Sequence, residues 1–176
     1  MKSSIALIGF MGTGKTAVGK ALAEKLGKKF LEMDARIEKK AGKTIPEIFR
    51  DDGEISFREL EIEVAGEVAG RKNAVIACGG GVVLNKINID RLKQAAIVVY
   101  LTANPEIILK RTSADATDRP LLQTPDQLSR IKDLLRFRKP FYERAADIEI
   151  DTSMLDIDTV AEQIIKNLKG NESLTA

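Results

Sequence analysis

The chain has 176 residues, with 28 Lys+Arg against 26 Asp+Glu, one cysteine and no histidine. This length suits one domain that buries its own core, and the near-balanced charge gives no reason to expect a nucleic-acid or membrane partner. Absent histidine removes imidazole acid/base chemistry and histidine metal sites, and a lone Cys78 cannot close an internal disulfide, which fits a reducing cytoplasm.

The first predicted element is the apolar strand 5–8, too short and too soon interrupted by polar loop chemistry to be a targeting segment. It runs into Gly9-Phe10-Met11-Gly12-Thr13-Gly14-Lys15-Thr16, which fills the pattern G-x-x-x-x-G-K-[ST], and then into helix-forming sequence over 15–27. Strand, glycine loop and helix in that order make a phosphate-binding loop. Its glycines let backbone N–H groups turn inward on phosphate oxygens, and the helix N-terminus adds positive dipole. Gly12, Thr13, Gly14, Lys15, Thr16 and Ala17 are therefore the expected nucleotide contacts. Lys15 reaches the β/γ-phosphates, and the Thr16 hydroxyl binds Mg²⁺.

Further strands are predicted at 30–33, 74–78, 97–101 and 148–150. The helical patterns lie at 35–41, 46–51, 55–70, 86–94, 105–112, 126–138 and 157–169. Strands alternating with helices predict an α/β chain folded as a three-layer α/β/α sandwich on a five-stranded parallel sheet. Ligands of such sheets lie beyond the carboxyl ends of the strands, so candidate residues are weighed by whether they fall there. The turn-rich stretch 112–125 is longer than most connections and is expected to be a mobile lid, about 112–124. One kinase domain is expected over 1–170, and the polar tail 171–176 is expected to fray.

Asp34 follows the strand at 30–33. It is either a helix N-cap or, at a strand carboxyl end, the carboxylate that orients an attacking hydroxyl and takes its proton. Glu32, two residues earlier, either helps hold Mg²⁺ through water or is a solvated charge. Arg58 and Glu61 are three apart on one predicted helix beside Phe57, so they can pair. The pair is either an ordinary surface ion pair or an arginine held ready for an anionic substrate. Gly79-Gly80-Gly81, just after the strand at 74–78, costs backbone entropy that a plain turn does not need. It allows the main chain to approach a ligand closely. Cys78 beside it reads as a small core residue. The stretch 130–144 carries Arg130, Lys132, Arg136, Arg138, Lys139 and Arg144 against Asp133 and Glu143. It is a solvated helix face or an anion-binding helix, with Pro140 limiting regular helix after Arg138. Arg119 is an exposed loop residue or a mobile arginine that closes over phosphates.

Together these segments resemble the shikimate kinases, small P-loop kinases related to the nucleoside monophosphate kinases. The matching pieces are Gly9–Thr16, Glu32-Met33-Asp34, Asp52-Gly53-Glu54 with Phe57-Arg58-x-x-Glu61, Gly79-Gly80-Gly81, Arg119-Pro120-Leu121-Leu122 and Arg138-x-Pro140-x-Tyr142. The resemblance covers about residues 4–168. It implies phosphorylation of the shikimate 3-hydroxyl by ATP, with Mg²⁺, in the shikimate pathway of aromatic amino acid biosynthesis. It further implies that Asp34 binds the ring hydroxyls, Arg58 and Arg138 hold the carboxylate, and Gly80 and Gly81 donate from the main chain. Phe49 and Phe57 would wall the pocket within an acceptor-binding region of about 34–62, Arg119 would be the lid arginine and Arg111 would pack on adenine. Catalysis would fall to Asp34, Lys15 and Arg119. One departure from the wider P-loop pattern is that strand 74–78 lacks an acidic metal-binding residue, leaving Glu32 or Asp34 to help through water. The rivals are a kinase of gluconate or a nucleotide, and a GTPase switch. For the switch, Asn85-Lys86-Ile87-Asn88 approximates a guanine-reading motif without its final carboxylate. No apolar stripe is left over, so a monomer is expected.

Overall fold

A computed structural model of the chain describes residues 2–115 and 118–170. The expected tail 171–176, residue 1 and positions 116–117 of the expected lid lie outside the described residues. The strands are β1 (Ser4–Ile8), β2 (Lys29–Glu32), β3 (Ala74–Ala77), β4 (Ala96–Thr102) and β5 (Ile148–Asp151). They form one five-stranded sheet in the order β2-β3-β1-β4-β5, and every pairing is parallel.

Period-two alternation sorts their side chains onto two faces. Ala6, Ile8, Ile76, Val98 and Tyr100 enter one core, and Ile5, Leu7, Val75, Ile97, Val99 and Leu101 enter the other. Both faces are apolar, so both must be covered, and the strands read as continuous hydrophobic runs. Helices α1 (Lys15–Leu26) and α8 (Ile157–Gly170) cover the second face. Helices α2 (Met33–Ala41), α3 (Ile45–Asp51), α4 (Gly53–Ala69), α5 (Lys86–Ala95) and the end of α7 (Gln127–Ala145) cover the first. With α6 (Pro105–Ala114) and a 3-10 turn at Pro120–Leu122, a third small cluster forms around Phe10, Ile108, Leu122 and Ile131. It roots the segment leading to Arg119 in packed structure.

Two sequence expectations change. Helix α7 does not stop near Arg138 but runs through Pro140 to Ala145. Proline forfeits one backbone hydrogen bond there, yet Arg138, Tyr142 and Ala145 are all buried on that helix. Tyr142 stacks on Tyr100 with ring centroids 4.9 Å apart, so tertiary packing offsets the local penalty. Asp34 is not an N-cap either: α2 begins at Met33, Glu32 occupies the cap position, and Asp34 lies in the first turn.

The strand order fixes where a ligand can sit. From β1 the chain leaves towards β2, whereas from the adjacent β3 it leaves across β1 to β4. Neighbouring strands whose outgoing connections diverge open a crevice at their carboxyl ends. The loops at that crevice are Gly9–Gly14 after β1 and Cys78–Gly81 after β3.

Candidate active site

The loop after β1 is shaped by its glycines. Gly9 has φ 145°, and a Cβ there would lie 2.3 Å from the Leu101 carbonyl oxygen, so no larger residue fits. The Thr13 hydroxyl donates to the Phe10 carbonyl at 2.8 Å, folding the loop back on itself ahead of α1. Lys15 Nζ donates to the same carbonyl at 2.8 Å, which holds its chain across the loop mouth. Burial lowers its ammonium pKa to about 8, while the Asp34 carboxylate opposes the shift. The side chain is half-buried and still faces the cavity, so arriving phosphate charge would restore the full ammonium.

Lys15 opens onto a cavity of 590 Å³. Gly12, Gly14, Thr16, Ala17, Arg111 and Arg119 line one side of it, and Asp34, Phe49, Phe57, Arg58, Glu61, Gly79, Gly80, Gly81 and Arg138 line the other. Glu32 also lines the cavity, so of the expected site residues only Thr13, which is buried in the loop, does not border it. The lining also includes Glu38, Ile45 and Pro46, which sequence reasoning missed. Nothing local marks those positions: each becomes a wall only when α2 and α3 fold over the crevice.

The acceptor side is held by buried charge. Arg58 Nη1 bonds Glu61 Oε1 at 2.9 Å, and a second ion pair joins Arg58 to Glu54 at 3.1 Å. Glu61 is 0% exposed, so the ordinary surface pair is excluded. A buried pair of this kind loses on the order of 3–5 kcal/mol if one partner is removed. Burial pushes the Glu61 carboxyl above its usual range, with Arg58 opposing. Among the described residues, Glu61 Oε2, Arg138 Nε and Arg119 Nε are buried without a hydrogen-bond partner. Phe57 lies under the Arg58 guanidinium at 5.1 Å and against Phe49 at 4.8 Å, a rigid apolar wall beside the cations. Arg138 is seated over the Phe10 ring at 5.7 Å.

Two of the three consecutive glycines, Gly79 and Gly81, sit where a side chain would be crowded. A Cβ on Gly81 would fall 2.1 Å from Arg58 Nη1, and one on Gly79 would fall 2.8 Å from Glu61 Oε2 and 3.1 Å from Asp34 Oδ1. The same measurement shows how closely Asp34, Glu61 and Arg58 approach one strip of main chain. Crowding by protein raises the Asp34 carboxyl pKa, and Lys15 opposes that rise. Because the Asp34 side chain remains open to cavity water, the effect grows only when a ligand displaces that water.

The remaining candidates separate cleanly. Thr16 Oγ1 donates to Glu32 Oε1 at 2.6 Å, so these two oxygens meet at the loop mouth. Arg111 Nη1 donates to the Gly12 carbonyl at 3.2 Å, while its Nη2 donates to the Thr152 carbonyl at 2.7 Å. Arg119 pairs with Asp115 at 2.8 Å and lines the cavity. Of the basic stretch 130–144, only Arg138 is buried and faces the cavity; Arg130, Lys132, Arg136, Lys139 and Arg144 are exposed, so most of that cluster is a solvated face. Cys78 is buried, and its thiol is pushed up to about 12 by burial, which makes it a core residue. Asn88 is buried and donates to the Val82 carbonyl at 3.2 Å, away from the cavity, so the guanine-reading rival has no geometric support.

Three comparisons bear on this geometry. A curated relative from Pelotomaculum thermopropionicum, named shikimate kinase, is 45% identical over 166 residues, 94% of this chain and 95% of the relative. One of the same name from Thermodesulfovibrio yellowstonii is 48% identical over 163 residues, 93% of each. Among solved structures, shikimate kinase from Acinetobacter baumannii in complex with shikimate superposes with a TM-score of 0.93 at 42% identity, covering 97% of this chain and 95% of that one. The family model described as shikimate kinase matches residues 11–169, a span that contains the phosphate loop from Met11 onward and all the acceptor-side residues. By that span and those identities, the chain belongs to the shikimate kinase family.

Proposed function

We propose that the chain transfers the γ-phosphate of ATP to the 3-hydroxyl of shikimate, giving 3-phosphoshikimate and ADP. One observation carries this reading: Asp34, Arg58, Arg138 and the Gly79–Gly81 main chain border the same cavity as Lys15. Two guanidiniums beside main-chain N–H groups suit a compact carboxylate, because their planar forks bind it bidentately. Asp34, bordering the same cavity, orients the acceptor hydroxyl and takes its proton. The hydroxyl oxygen bonds to the γ-phosphorus while the bond to the β–γ bridging oxygen breaks, and that oxygen leaves with ADP. Lys15 and Arg119 balance the charge on the transferring group, so catalysis is positioning and electrostatic stabilisation. Arg111, anchored to Gly12 and Thr152, offers its guanidinium plane to adenine.

Mg²⁺ is part of this proposal. Among the described residues no group of three or more His, Cys, Asp or Glu could hold a metal alone. The hard oxygens of Thr16 and Glu32 suit a cation that arrives with the nucleotide phosphates. When bound, Mg²⁺ would neutralise charge on the β- and γ-phosphates. We further propose a cytoplasmic monomer that binds neither nucleic acid nor membrane. Residues 1–170 would form one kinase domain in which 112–124 close as a lid and 34–62 bind the acceptor. In support, no helix among the described residues is long and apolar enough to cross a membrane.

The test is ADP release measured against a panel of acceptors with ATP and with GTP. Turnover with ATP that depends on shikimate, and stays at background with gluconate and nucleoside monophosphates, is the expected result. Equal turnover with those other acceptors, or GTP-selective turnover without any acceptor, would overturn the reading.

A further inference from the structure

Tyr142 is a fully buried titratable group for which the proposed reaction has no direct use. It lies in the core, 0% exposed, and its hydroxyl donates to the carbonyl of Gly80. Burial pushes that hydroxyl up to about 12, with the Arg138 guanidinium opposing, so at neutral pH it is a donor. The ring cannot drift: it is stacked on Tyr100, and Arg138 is one helical turn before it on α7.

The Gly80 carbonyl and the Gly81 N–H belong to one peptide unit, and there is no cis peptide bond among the described residues. In a trans peptide these two groups point in opposite directions. Gly80 and Gly81 line the cavity, whereas Tyr142 lies behind them in the core and does not. A hydroxyl that draws the carbonyl inward therefore turns the N–H outward. Among the described residues neither Gly80 nor Gly81 spends its N–H on a protein acceptor, so both donors are free for a ligand. The Val82 N–H on the Gly79 carbonyl (3.1 Å) and the Leu84 N–H on the Gly81 carbonyl (3.0 Å) hold the neighbouring peptides, while the Tyr142 hydroxyl is what grips the central Gly80–Gly81 plane, whose two residues carry no side chain to steer it.

We propose that Tyr142 is a positioning residue for acceptor binding: its hydroxyl locks the Gly80–Gly81 peptide so that the Gly81 N–H faces the acceptor's carboxylate beside Arg138. The inference rests on the shikimate reading of this site. It deepens that reading by making α7 supply two aids to anion binding, one direct through Arg138 and one through the main chain.

The Tyr142→Phe variant keeps the ring and removes only the donor. Calorimetry of the variant is expected to show shikimate binding about five- to tenfold weaker, the scale of one ordinary hydrogen bond. ATP binding should stay within about twofold, because the phosphate loop does not touch Tyr142. Unchanged shikimate affinity, whatever happens to the Tm, overturns the proposal, and so does equal weakening for both ligands. If Tyr142→Phe does not fold, the wild type decides. Its Gly81 amide proton should move downfield on adding shikimate and not on adding ADP, and an unmoved resonance overturns the proposal. Failure of the shikimate reading itself looks different, since the wild type would then bind no shikimate at all.

Discussion

The two halves of the cavity are built in opposite ways. The phosphate side is contiguous: one loop and the first turn of α1 supply Gly12 to Ala17, and the backbone does most of the work. The acceptor side is assembled from α2, α3, α4, the Gly79–Gly81 strip and α7, drawing on residues up to 104 positions apart (Asp34 to Arg138). Affinity for phosphate therefore depends on local geometry, whereas affinity for the acceptor depends on how five elements pack. The acceptor side should be the more easily and more selectively damaged.

The largest effect expected is on the group that joins the halves. Asp34→Asn should keep the fold and the ATP affinity while lowering kcat by about two to four orders of magnitude, the range for loss of a positioned base. Steady-state rates close to wild type would reduce Asp34 to a first-turn helix residue. Next, Arg58→Ala or Arg138→Ala should weaken shikimate binding by on the order of 2 kcal/mol or more, about thirtyfold, with ATP binding little changed. Calorimetry that finds both ligands equally weakened would erase the proposed division. Gly81→Ala is a subtler probe of the same side. The added methyl would meet Arg58 Nη1 at 2.1 Å and displace it, so we expect shikimate affinity to fall about tenfold while the ATP Kd holds.

The smallest effect is on the phosphate side, and it is a dependence on pH. Lys15 titrates near 8 when no nucleotide is bound, and phosphate charge favours its protonated form. ATP affinity should therefore decline as pH rises through 8, by up to about tenfold per unit for this one group, with proton uptake on binding at that pH. Calorimetry in buffers of different ionisation enthalpy measures the uptake directly, and no uptake would place the Lys15 ammonium at its ordinary value. Shikimate affinity should vary less across the same range, because a guanidinium is a cation at every pH in it.

Much of this architecture was legible in the chain before folding. The alternation of strands and helices and the glycine loop each rest on neighbours in sequence, and the observed strands depart from expectation by at most one residue at each end. The misplaced end of α7 and the N-cap reading of Asp34 came from local rules. Pro140 and an Asp before a helix carry the same local signal whether or not a core overrides them. The Arg58–Glu61 spacing revealed a pair but not its burial, which depends on α4 packing against the rest of its layer.

The amino-acid order alone determined a parallel α/β sheet with a phosphate loop at the end of β1, because periodicity and backbone freedom act over a few residues. Only the tertiary structure decided that Arg138 leaves solvent while Arg130 and Arg136 do not. It alone lets Tyr142 reach Gly80, and it alone brings Glu38, Ile45 and Pro46 to the cavity wall. Those outcomes depend on contacts between elements far apart in the chain, where burial and shape, rather than residue type, set what each side chain does.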